Sequence, residues 1–286
     1  MRKLREHLHW YLLVALFAAA VLIWYALVHE DRAGVFTVAF LDVGQGDAIF
    51  IESPTGNQAL LDGGPNKSVL RALGKAMPFY DHTIDLLIVT NPDKDHFAGF
   101  IDVLRAYKVA VVVEPGTIGA SAEFKVFKDE VAKEKAARVF ARRGQQINLG
   151  GGVILEILFP DRDVEGLETN TGSIVAKLVY GSTSFLLMGD APEAIENYLV
   201  GLDGKRLDSD VLKAGHHGSR TSTSDALLGL ASPAFAVISA GKENRYGHPH
   251  AEVLERLKRF EVKTLGTYEQ GTIVMESDGE TVRLKK

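Results

Sequence analysis

Residues 84–99 read IDLLIVTNPDKDHFAG, an apolar run that leads into a cluster of polar side chains. The run Ile84–Val89 is bounded by polar loops, which is typical of a strand buried on both faces of a sheet. Asp93, Asp95 and His96 then place two carboxylates and an imidazole within four residues, a set suited to a hard or borderline divalent cation. Acidic loop residues are also common as solvated turn formers, so this cluster alone leaves both interpretations open.

The same pattern recurs further along the chain. Predicted strands that end near residues 187, 213 and 239 lead to Asp190, to His216 and His217, and to His248. A single histidine pair is more often a surface pair or a hydrogen-bonded core pair than a metal ligand. Four strand ends that each deliver Asp or His residues predict a shared metal site.

The order of the remaining segments predicts a mixed α/β (α+β) fold. Strand-like runs bounded by Gly, Asp and Pro turns begin with a β meander and then alternate with helices. The predicted strands are Val35–Leu41, Ala48–Glu52, Gln58–Leu61, Ile84–Val89, Val109–Val113, Val153–Leu158, Ile174–Val179, Ser184–Leu187, Val211–Lys213, Ala234–Ser239, Thr272–Glu276 and Thr281–Leu284. The predicted helices are Lys67–Lys75, Ala98–Ala106, Glu123–Lys135, Pro192–Val200, Ser224–Leu230 and Ala251–Arg259. This order favours two mixed sheets with helices outside over one doubly wound sheet.

Composition limits the class of protein. The 286 residues are 46% hydrophobic, enough for one large domain or at most two. There are no cysteines, so disulfides and cysteine-based zinc sites are excluded, and any metal must be held by His, Asp, Glu or Asn. The net charge of −5 excludes a general nucleic-acid binder, because such binding depends on Lys and Arg neutralising phosphates. A small substrate, or nucleic acid bound at a local basic patch, is compatible with this charge.

The N-terminus predicts a membrane anchor. Residues 10–28 form an unbroken apolar stretch, long enough as a helix to cross a hydrocarbon core of roughly 30 Å and to contact the lipid bilayer. Basic residues precede it and acidic residues follow it: Arg2, Lys3, Arg5, Glu30 and Asp31. We therefore expect a single-pass protein of the cytoplasmic membrane with an anchor at 1–30 and an extracytoplasmic catalytic domain at 31–286. The alternative is a cleaved signal peptide, since Ala18-Ala19-Ala20 offers small residues, although these lie in the middle of the span.

From Val35 to the C-terminus the sequence resembles the metallo-β-lactamase superfamily, in particular its ComEC-like group, named after the extracytoplasmic domain of bacterial DNA-uptake proteins. The segments that carry the resemblance are Phe40–Asp47 (FLDVGQGD), Leu61–Gly64 (LDGG), Asn91–Gly99 (NPDKDHFAG), Met188–Asp190 (MGD), Lys213–Ser219 (KAGHHGS) and Arg245–Pro249 (RYGHP). The glycine-rich turns are weak signals singly, whereas their order and spacing together are specific. The resemblance implies a four-layer αββα sandwich, here preceded by one transmembrane helix.

The resemblance also implies a set of metal ligands for one or two divalent ions, zinc or manganese. Asp95 and His96 would bind one metal together with His216, and Asp190 would bridge to a second metal. Asn91 and Asp93 would serve that second metal, but the family's usual residue at position 91 is histidine. Because an amide oxygen is a weaker ligand than imidazole, we expect the metal at Asn91 to bind less tightly, to be manganese, or to be absent.

Other residues of these motifs receive supporting roles. Asp62 is expected to order the metal loop by hydrogen bonds, and His217 either orients His216 or exchanges roles with it. The expected catalytic residues are Asp95 and His248. His248 would donate a proton or contact a substrate oxygen, and its alternatives are a metal ligand or a turn residue that closes the pocket.

Substrate contacts are expected on two segments. The glycines of Gly44-Gln45-Gly46-Asp47 would let backbone N–H groups approach an anion, although a plain tight turn explains the loop equally well. Lys213 and Ser219 belong to a basic and hydroxyl-rich rim that also includes Arg220, Thr221, Ser222, Lys242 and Arg245. This rim favours a phosphodiester or nucleic-acid substrate.

The function predicted from these residues is metal-assisted hydrolysis by a membrane-anchored phosphodiesterase or nuclease that acts on DNA outside the cytoplasmic membrane. One alternative is a small-molecule hydrolase for a lactone, a β-lactam or a nucleotide. Another is a catalytically silent binding module of the same fold. A transport role would require a separate membrane channel partner.

Overall fold

A computed structural model describes residues 7–29 and 34–285, and for residues 26–29 it describes the backbone. The chain divides into two compact units, Met1–Gly34 and Val35–Lys286. The predicted domain boundary at residues 30 and 31 lies outside the described residues, as do the flanking charges Arg2, Lys3, Arg5, Glu30 and Asp31.

The described part of the first unit contains the helix α1 (Leu8–His29). Its window Leu8–Tyr25 is long and apolar enough to cross a membrane, and none of it is buried. A signal sequence near an N-terminus would have the same length and composition. The prediction of one apolar N-terminal helix is confirmed, and its orientation stays a prediction.

The second unit is built from fifteen described strands and eight described α-helices. The strands are β1 (Phe36–Phe40), β2 (Ile49–Glu52), β3 (Gln58–Leu61), β4 (Thr83–Ile88), β5 (Lys108–Glu114), β6 (Ala137–Phe140), β7 (Gln146–Gly150), β8 (Val153–Phe159), β9 (Val175–Tyr180), β10 (Thr183–Leu187), β11 (Val211–Lys213), β12 (Phe235–Ile238), β13 (Lys263–Gly266), β14 (Ile273–Ser277) and β15 (Val282–Leu284). The helices are α2 (Ser68–Ala76), α3 (Lys94–Phe97), α4 (Phe100–Ala106), α5 (Ala122–Glu134), α6 (Glu193–Asp203), α7 (Asp225–Ala231), α8 (Ala251–Arg259) and α9 (Thr267–Gln270). Two short 3-10 turns cover Gly204–Leu207 and Gly215–Gly218.

The strands form two mixed sheets. The first has the order β15-β14-β1-β2-β3-β4-β5-β6, and the second has the order β13-β12-β11-β10-β9-β8-β7. The prediction of an αββα sandwich with two mixed sheets is confirmed.

Strand periodicity distributes the apolar residues into separate core layers. Along β1, Val38 and Phe40 face the second sheet, while Ala39 faces the helices on the other side. Phe36 also points between the sheets, where its ring packs edge-on against Phe185 at a centroid distance of 5.8 Å. A second layer joins the first sheet to α2, α4 and α5, and a third joins the second sheet to α6, α7 and α8.

Parallel pairing positions the polar loops. Strands β3, β4, β5 and β6 run parallel in the first sheet, and β10, β11, β12 and β13 run parallel in the second. Ligands in open α/β sheets bind outside the carboxyl ends of such strands. The loops that follow β4, β10, β11 and β12 are therefore the ones that assemble a site.

Candidate metal centre

A buried group of four side chains forms the centre of the site. Asp47, His96, Asp190 and His217 each place a ligand atom within 4.8 Å of the others. Among the described residues, the atoms Asp47 Oδ1, His96 Nε2, Asp190 Oδ1 and His217 Nε2 are buried without a hydrogen-bond partner. Buried polar atoms in proteins are usually paired, so four unpaired atoms of ligand type that lie close together fit a divalent cation.

Each of the four residues lies beside a strand end. His96 lies in α3 just after β4, Asp190 follows β10, and His217 lies in the 3-10 turn after β11. Asp47 comes from the loop between β1 and β2. The strand ends therefore bring together residues that are up to 170 positions apart in sequence, from Asp47 to His217.

His96 is held between two carboxylates. Its Nδ1 lies 2.8 Å from Asp62 Oδ2, and its Nε2 lies 3.1 Å from Asp190 Oδ2. Asp62 also accepts hydrogen bonds from the backbone N–H and the hydroxyl of Thr90, at 2.8 and 2.5 Å. A carboxylate that fixes one imidazole nitrogen and leaves the other facing the site is the usual arrangement around metal-binding histidines.

His216 and His217 approach Asp190 from different positions. His217 Nδ1 donates to the Ser239 carbonyl at 3.0 Å, because a carbonyl oxygen only accepts, and this leaves Nε2 of a neutral ring without a proton. That Nε2 lies 3.4 Å from Asp95 Oδ2 and 3.7 Å from Asp190 Oδ1. His216 is 26% exposed, and its Nε2 lies 3.6 Å from Asp190 Oδ2. His217 therefore lies inside the buried group and His216 at its rim.

Asn91 and Asp93 lie beside the group and are held by hydrogen bonds. Asn91 Oδ1 accepts the Asp93 backbone N–H at 2.9 Å, and its Nδ2 donates to Asn170 Oδ1 at 2.6 Å. Asp93 Oδ2 accepts from the Thr169 hydroxyl at 3.1 Å. Neither Asn91 nor Asp93 belongs to the four-residue group, and their predicted role as ligands of a second metal stays a prediction.

Asp47, a member of the group, forms a buried ion pair with Lys213. Their side chains are 0% and 1% exposed, and Lys213 also donates to the Gly189 carbonyl at 3.3 Å. The sequence predicts both residues at the substrate, and in the structure both are buried away from the surface of the site. Sequence reasoning missed Asp47 as a member of the metal group.

The glycine loop before Asp47 packs against the metal loop. Gly46 has a φ of 137°, and a Cβ at this position would lie 2.2 Å from the Asp95 carbonyl oxygen. The next residue, Asp47, donates its N–H to the same oxygen at 3.2 Å. Glycine is required at position 46 because the two loops meet there without room for a side chain.

Gln45 connects the glycine loop to His248. Gln45 Oε1 accepts the Gly241 N–H at 3.1 Å, which fixes the orientation of the amide. Its Nε2 therefore faces His248 Nδ1, at 3.5 Å, and donates to it. The proton of a neutral His248 then lies on Nε2. The His248 ring centroid is 5.6 Å from that of His216.

Ser219 and Gly44 complete the set of predicted site residues. Ser219 is buried, and its hydroxyl lies 3.0 Å from that of Thr221. Gly44 has a φ of 83° and donates its N–H to Asp42 Oδ1 at 3.2 Å. The structure thus brings the glycine loop, the metal loop and both histidine loops to one place.

The buried carboxylates of Asp47 and Asp190 favour positive charge on the groups beside them. Burial raises the pKa of Asp190, but the charges of His96 and His217 outweigh burial and hold this pKa well below its ordinary value. Burial lowers the pKa of His217, yet Asp190 and Asp47 outweigh it and raise the pKa to about 10. The carboxylates therefore favour the protonated, positively charged form of the neighbouring imidazoles. A divalent cation would supply positive charge at the same place. For His248, burial and the neighbouring His217 and His216 lower the pKa to about 4.

Comparison with known proteins identifies the family. Residues 41–242 match the family model described as the metallo-beta-lactamase superfamily. The chain belongs to this superfamily. The prediction of a metal-dependent hydrolase of the metallo-β-lactamase superfamily is confirmed, and the buried group supports binding of a divalent metal.

Three curated relatives cover most of the chain. The chain is 31% identical to ComE operon protein 3 of Bacillus subtilis (strain 168) over 255 residues, which are 82% of this chain and 32% of the relative. It is 32% identical to competence protein ComA of Neisseria gonorrhoeae over 251 residues, 86% of this chain and 32% of the relative. It is 31% identical to recombination protein 2 of Haemophilus influenzae over 237 residues, 82% of this chain and 28% of the relative. The chain thus spans about a third of the length of the curated relatives it matches.

Solved structures share the fold at low sequence identity. Igni18, a metallo hydrolase from Ignicoccus hospitalis, superposes with a TM-score of 0.52 at 14% identity, over 83% of this chain and 98% of that chain. CmlA, a diiron beta-hydroxylase from Streptomyces venezuelae, superposes with a TM-score of 0.53 at 13% identity, over 80% of this chain and 52% of that chain.

Proposed function

We propose that this chain is a metal-dependent phosphodiesterase that cleaves DNA outside the cytoplasmic membrane. The observation that carries the proposal is the buried group Asp47, His96, Asp190 and His217, a polar site of ligand type in a metallo-β-lactamase fold. DNA is the substrate we favour because the relatives are named a competence protein and a recombination protein. A role in DNA uptake would also need a membrane channel, which is the partner we predict.

The described residues of the site have different proposed roles in metal binding and charge balance. Asp190, His96 and His217 would hold a divalent cation, zinc or manganese, with Asp95 and His216 at the rim and with Asn91 and Asp93 toward a second ion. Such a cation would supply Lewis acidity and lower the pKa of a water molecule to about 7. Asp62 holds the ring of His96 in place through its Nδ1. Asp47, the fourth member of the group, would also hold the cation, and its buried pair with Lys213 balances charge within the group.

His248 is the residue we place against a substrate oxygen. Gln45 donates to its Nδ1, so a neutral ring presents an N–H at Nε2. Asn244 fixes the loop, since its Oδ1 accepts the His248 backbone N–H at 2.9 Å. A neutral N–H donor suits an oxygen that gains negative charge during hydrolysis.

The rim of the site favours a negatively charged substrate. Lys94 and Arg220 are largely exposed beside the metal loop and the histidine loop, at 61% and 60%. Lys94 pairs with Glu123 and Arg220 pairs with Glu252, and an exposed pair of this kind is weak enough to exchange for a phosphate. We place α1 across the membrane as a single span, with the catalytic unit on the outer side.

The test is cleavage of DNA by the full chain in detergent with Mn²⁺ or Zn²⁺. We expect plasmid DNA and an end-labelled single strand to be cut, and Asp190→Ala to reduce the rate to background while it lowers the metal content. Asp163→Ala is the matched control, because that carboxylate is 74% exposed and lies outside the group. Full metal occupancy without DNA cleavage would sink the nuclease proposal, and hydrolysis of a lactone, a β-lactam or a nucleotide by that preparation would support the small-molecule alternative.

A further inference from the structure

A second feature lies beside the metal centre. A cleft of about 510 Å³ opens between the loop after β1 and the loop before α8. Its wall includes Gly44, Asn66, Lys94, Asp95 and Tyr246. The cleft shares Asp95 with the metal centre, so a molecule that fills it would extend to the metal-binding side chains.

Tyr246 presents an aromatic ring at the mouth of this cleft. The side chain is 47% exposed, which is high for a large ring within a folded loop. The ring stacks on His248, with centroids 5.6 Å apart and planes 20° apart. The centroid of the His248 ring lies 6.2 Å from that of His217. The His248 ring therefore lies between Tyr246 and a member of the metal group.

The loop that carries Tyr246 is held in one shape. Asn244 Oδ1 accepts the backbone N–H of Tyr246 at 3.1 Å and that of His248 at 2.9 Å. Asn244 Nδ2 donates to the carbonyls of Gly241 and His248, at 2.9 and 2.5 Å. These four hydrogen bonds of the Asn244 side chain fix the loop, so the exposed ring of Tyr246 is preorganised.

Arg245 adds charge and a second planar group. Its guanidinium carbon lies 4.8 Å from the Tyr246 ring centroid, and one of its N–H groups donates to the Tyr246 hydroxyl at 2.6 Å. The cleft wall also carries the cation of Lys94 and the carboxylates of Asp95 and Glu243. An exposed guanidinium can stack on a base or pair with a phosphate, and both are recurrent contacts of single-stranded nucleic acids.

We propose that Tyr246 and Arg245 form a stacking platform for an unpaired nucleobase and thereby select single-stranded DNA over duplex. The inference rests on the proposed function and names the form of its substrate. Bases within a duplex already stack on each other and offer no free face to the platform. A base on Tyr246 lies within a few nucleotides of the metal group, given a strand spacing of about 3.4 Å or more per nucleotide.

The experiment measures binding apart from cleavage. Fluorescence anisotropy gives the Kd of the full chain, in detergent with Mn²⁺, for a labelled 12-nucleotide phosphorothioate thymidine strand that resists hydrolysis. The same strand with abasic sites keeps the charged backbone and lacks bases. The variants are Tyr246→Leu, which removes the ring, and Tyr246→Phe, which keeps it. Tyr80→Leu is the matched control, because Tyr80 is 53% exposed in a different loop.

Stacking of one base on an aromatic ring predicts that Tyr246→Leu weakens binding of the base-containing strand by about 5- to 150-fold. Tyr246→Phe and Tyr80→Leu should change that Kd less than about 2-fold. All four proteins should bind the abasic strand and a duplex equally. The platform is refuted if Tyr246→Leu binds like the wild type, or if it loses the same factor on the abasic strand. Cleavage assays on the same samples test the proposed nuclease separately, since binding through Tyr246 is measured without any hydrolysis.

Discussion

Asn91 is the residue at which this site departs from the histidine usual in the family it resembles. Both ends of its amide are engaged, the oxygen with the Asp93 N–H at 2.9 Å and the nitrogen with Asn170 at 2.6 Å. A neutral amide oxygen that already accepts a hydrogen bond is a weaker ligand than an imidazole nitrogen. We therefore expect the side of the site near Asn91 and Asp93 to hold metal weakly.

Replacing this residue tests that expectation. Asn91→His should raise the metal bound per chain by up to about one equivalent, because imidazole is a stronger ligand for zinc-like ions. Mass spectrometry of metals in protein purified without chelator measures the change. Asn170→His, which alters the partner of the same amide, is the control and should not raise it. Unchanged metal content in Asn91→His would show that Asn91 does not limit the second site.

Some residues of the site could be predicted from the sequence and others could not. The strand-end pattern placed Asp95, His96 and Asp190 close together, and the structure has them there. The choice between His216 and His217 could not be made, because both have left-handed φ values, 47° and 55°, and such a turn does not follow strand alternation. Asp47 was predicted at the substrate and missed as a member of the metal group, because its contact with Lys213 joins residues 166 positions apart, which no local pattern encodes.

At the scale of elements, the predictions held where a segment is buried on a regular period. The strands near residues 84–89 and 211–213 and the helix at 251–259 appear within one residue of their expected limits. Strands β6, β7 and β13 were missed because they are short strands at the edges of the sheets, and all four residues of β6 are exposed. The predicted helix Ala98–Ala106 corresponds to α4, which begins at Phe100, and Ala98 and Gly99 join it to α3. A Cβ at Gly99 would lie 1.9 Å from the Gly63 carbonyl oxygen, so the chain must pass there as glycine.

The junction of α6 and α7 gives a stability prediction. Glu196 is fully buried in α6 and accepts the N–H groups of Thr223 and Ser224 just before α7, at 2.5 and 2.7 Å. Glu196→Ala leaves both donors without their partner, which should cost about 2–4 kcal/mol. For a domain of this size that corresponds to a fall in Tm of roughly 5–15 °C by circular dichroism.

Glu193 provides the control for this change on the same helix. Its side chain is 41% exposed and pairs with Arg256 at 3.2 Å, so Glu193→Ala should cost less than about 1 kcal/mol. Equal losses of Tm for the two variants would mean that the buried hydrogen bonds of Glu196 stabilise the fold no more than the exposed ion pair of Glu193.

At the scale of the whole molecule, the two units differ in where their apolar side chains lie. The unit Val35–Lys286 contains its own core layers between and outside the two sheets, and the metal centre lies within it. Helix α1 exposes apolar side chains along the window Leu8–Tyr25, and such a surface is stable only when lipid or protein covers it. We propose that lipid covers this surface in a membrane span, and the position of the catalytic unit relative to the membrane then has to be measured.

The orientation of that span can be read with a single cysteine, because the sequence has none. Asp163→Cys puts a thiol at a position that is 74% exposed in the catalytic unit. If the unit lies outside the cytoplasmic membrane, a membrane-impermeant maleimide should label this variant in intact spheroplasts as fully as in lysed ones, and the labelled chain should sediment with membranes. The unsubstituted chain is the control and should take up no label. Labelling only after lysis would reverse the proposed orientation, whereas labelled protein in the soluble fraction would identify residues near the N-terminus as a cleaved signal sequence.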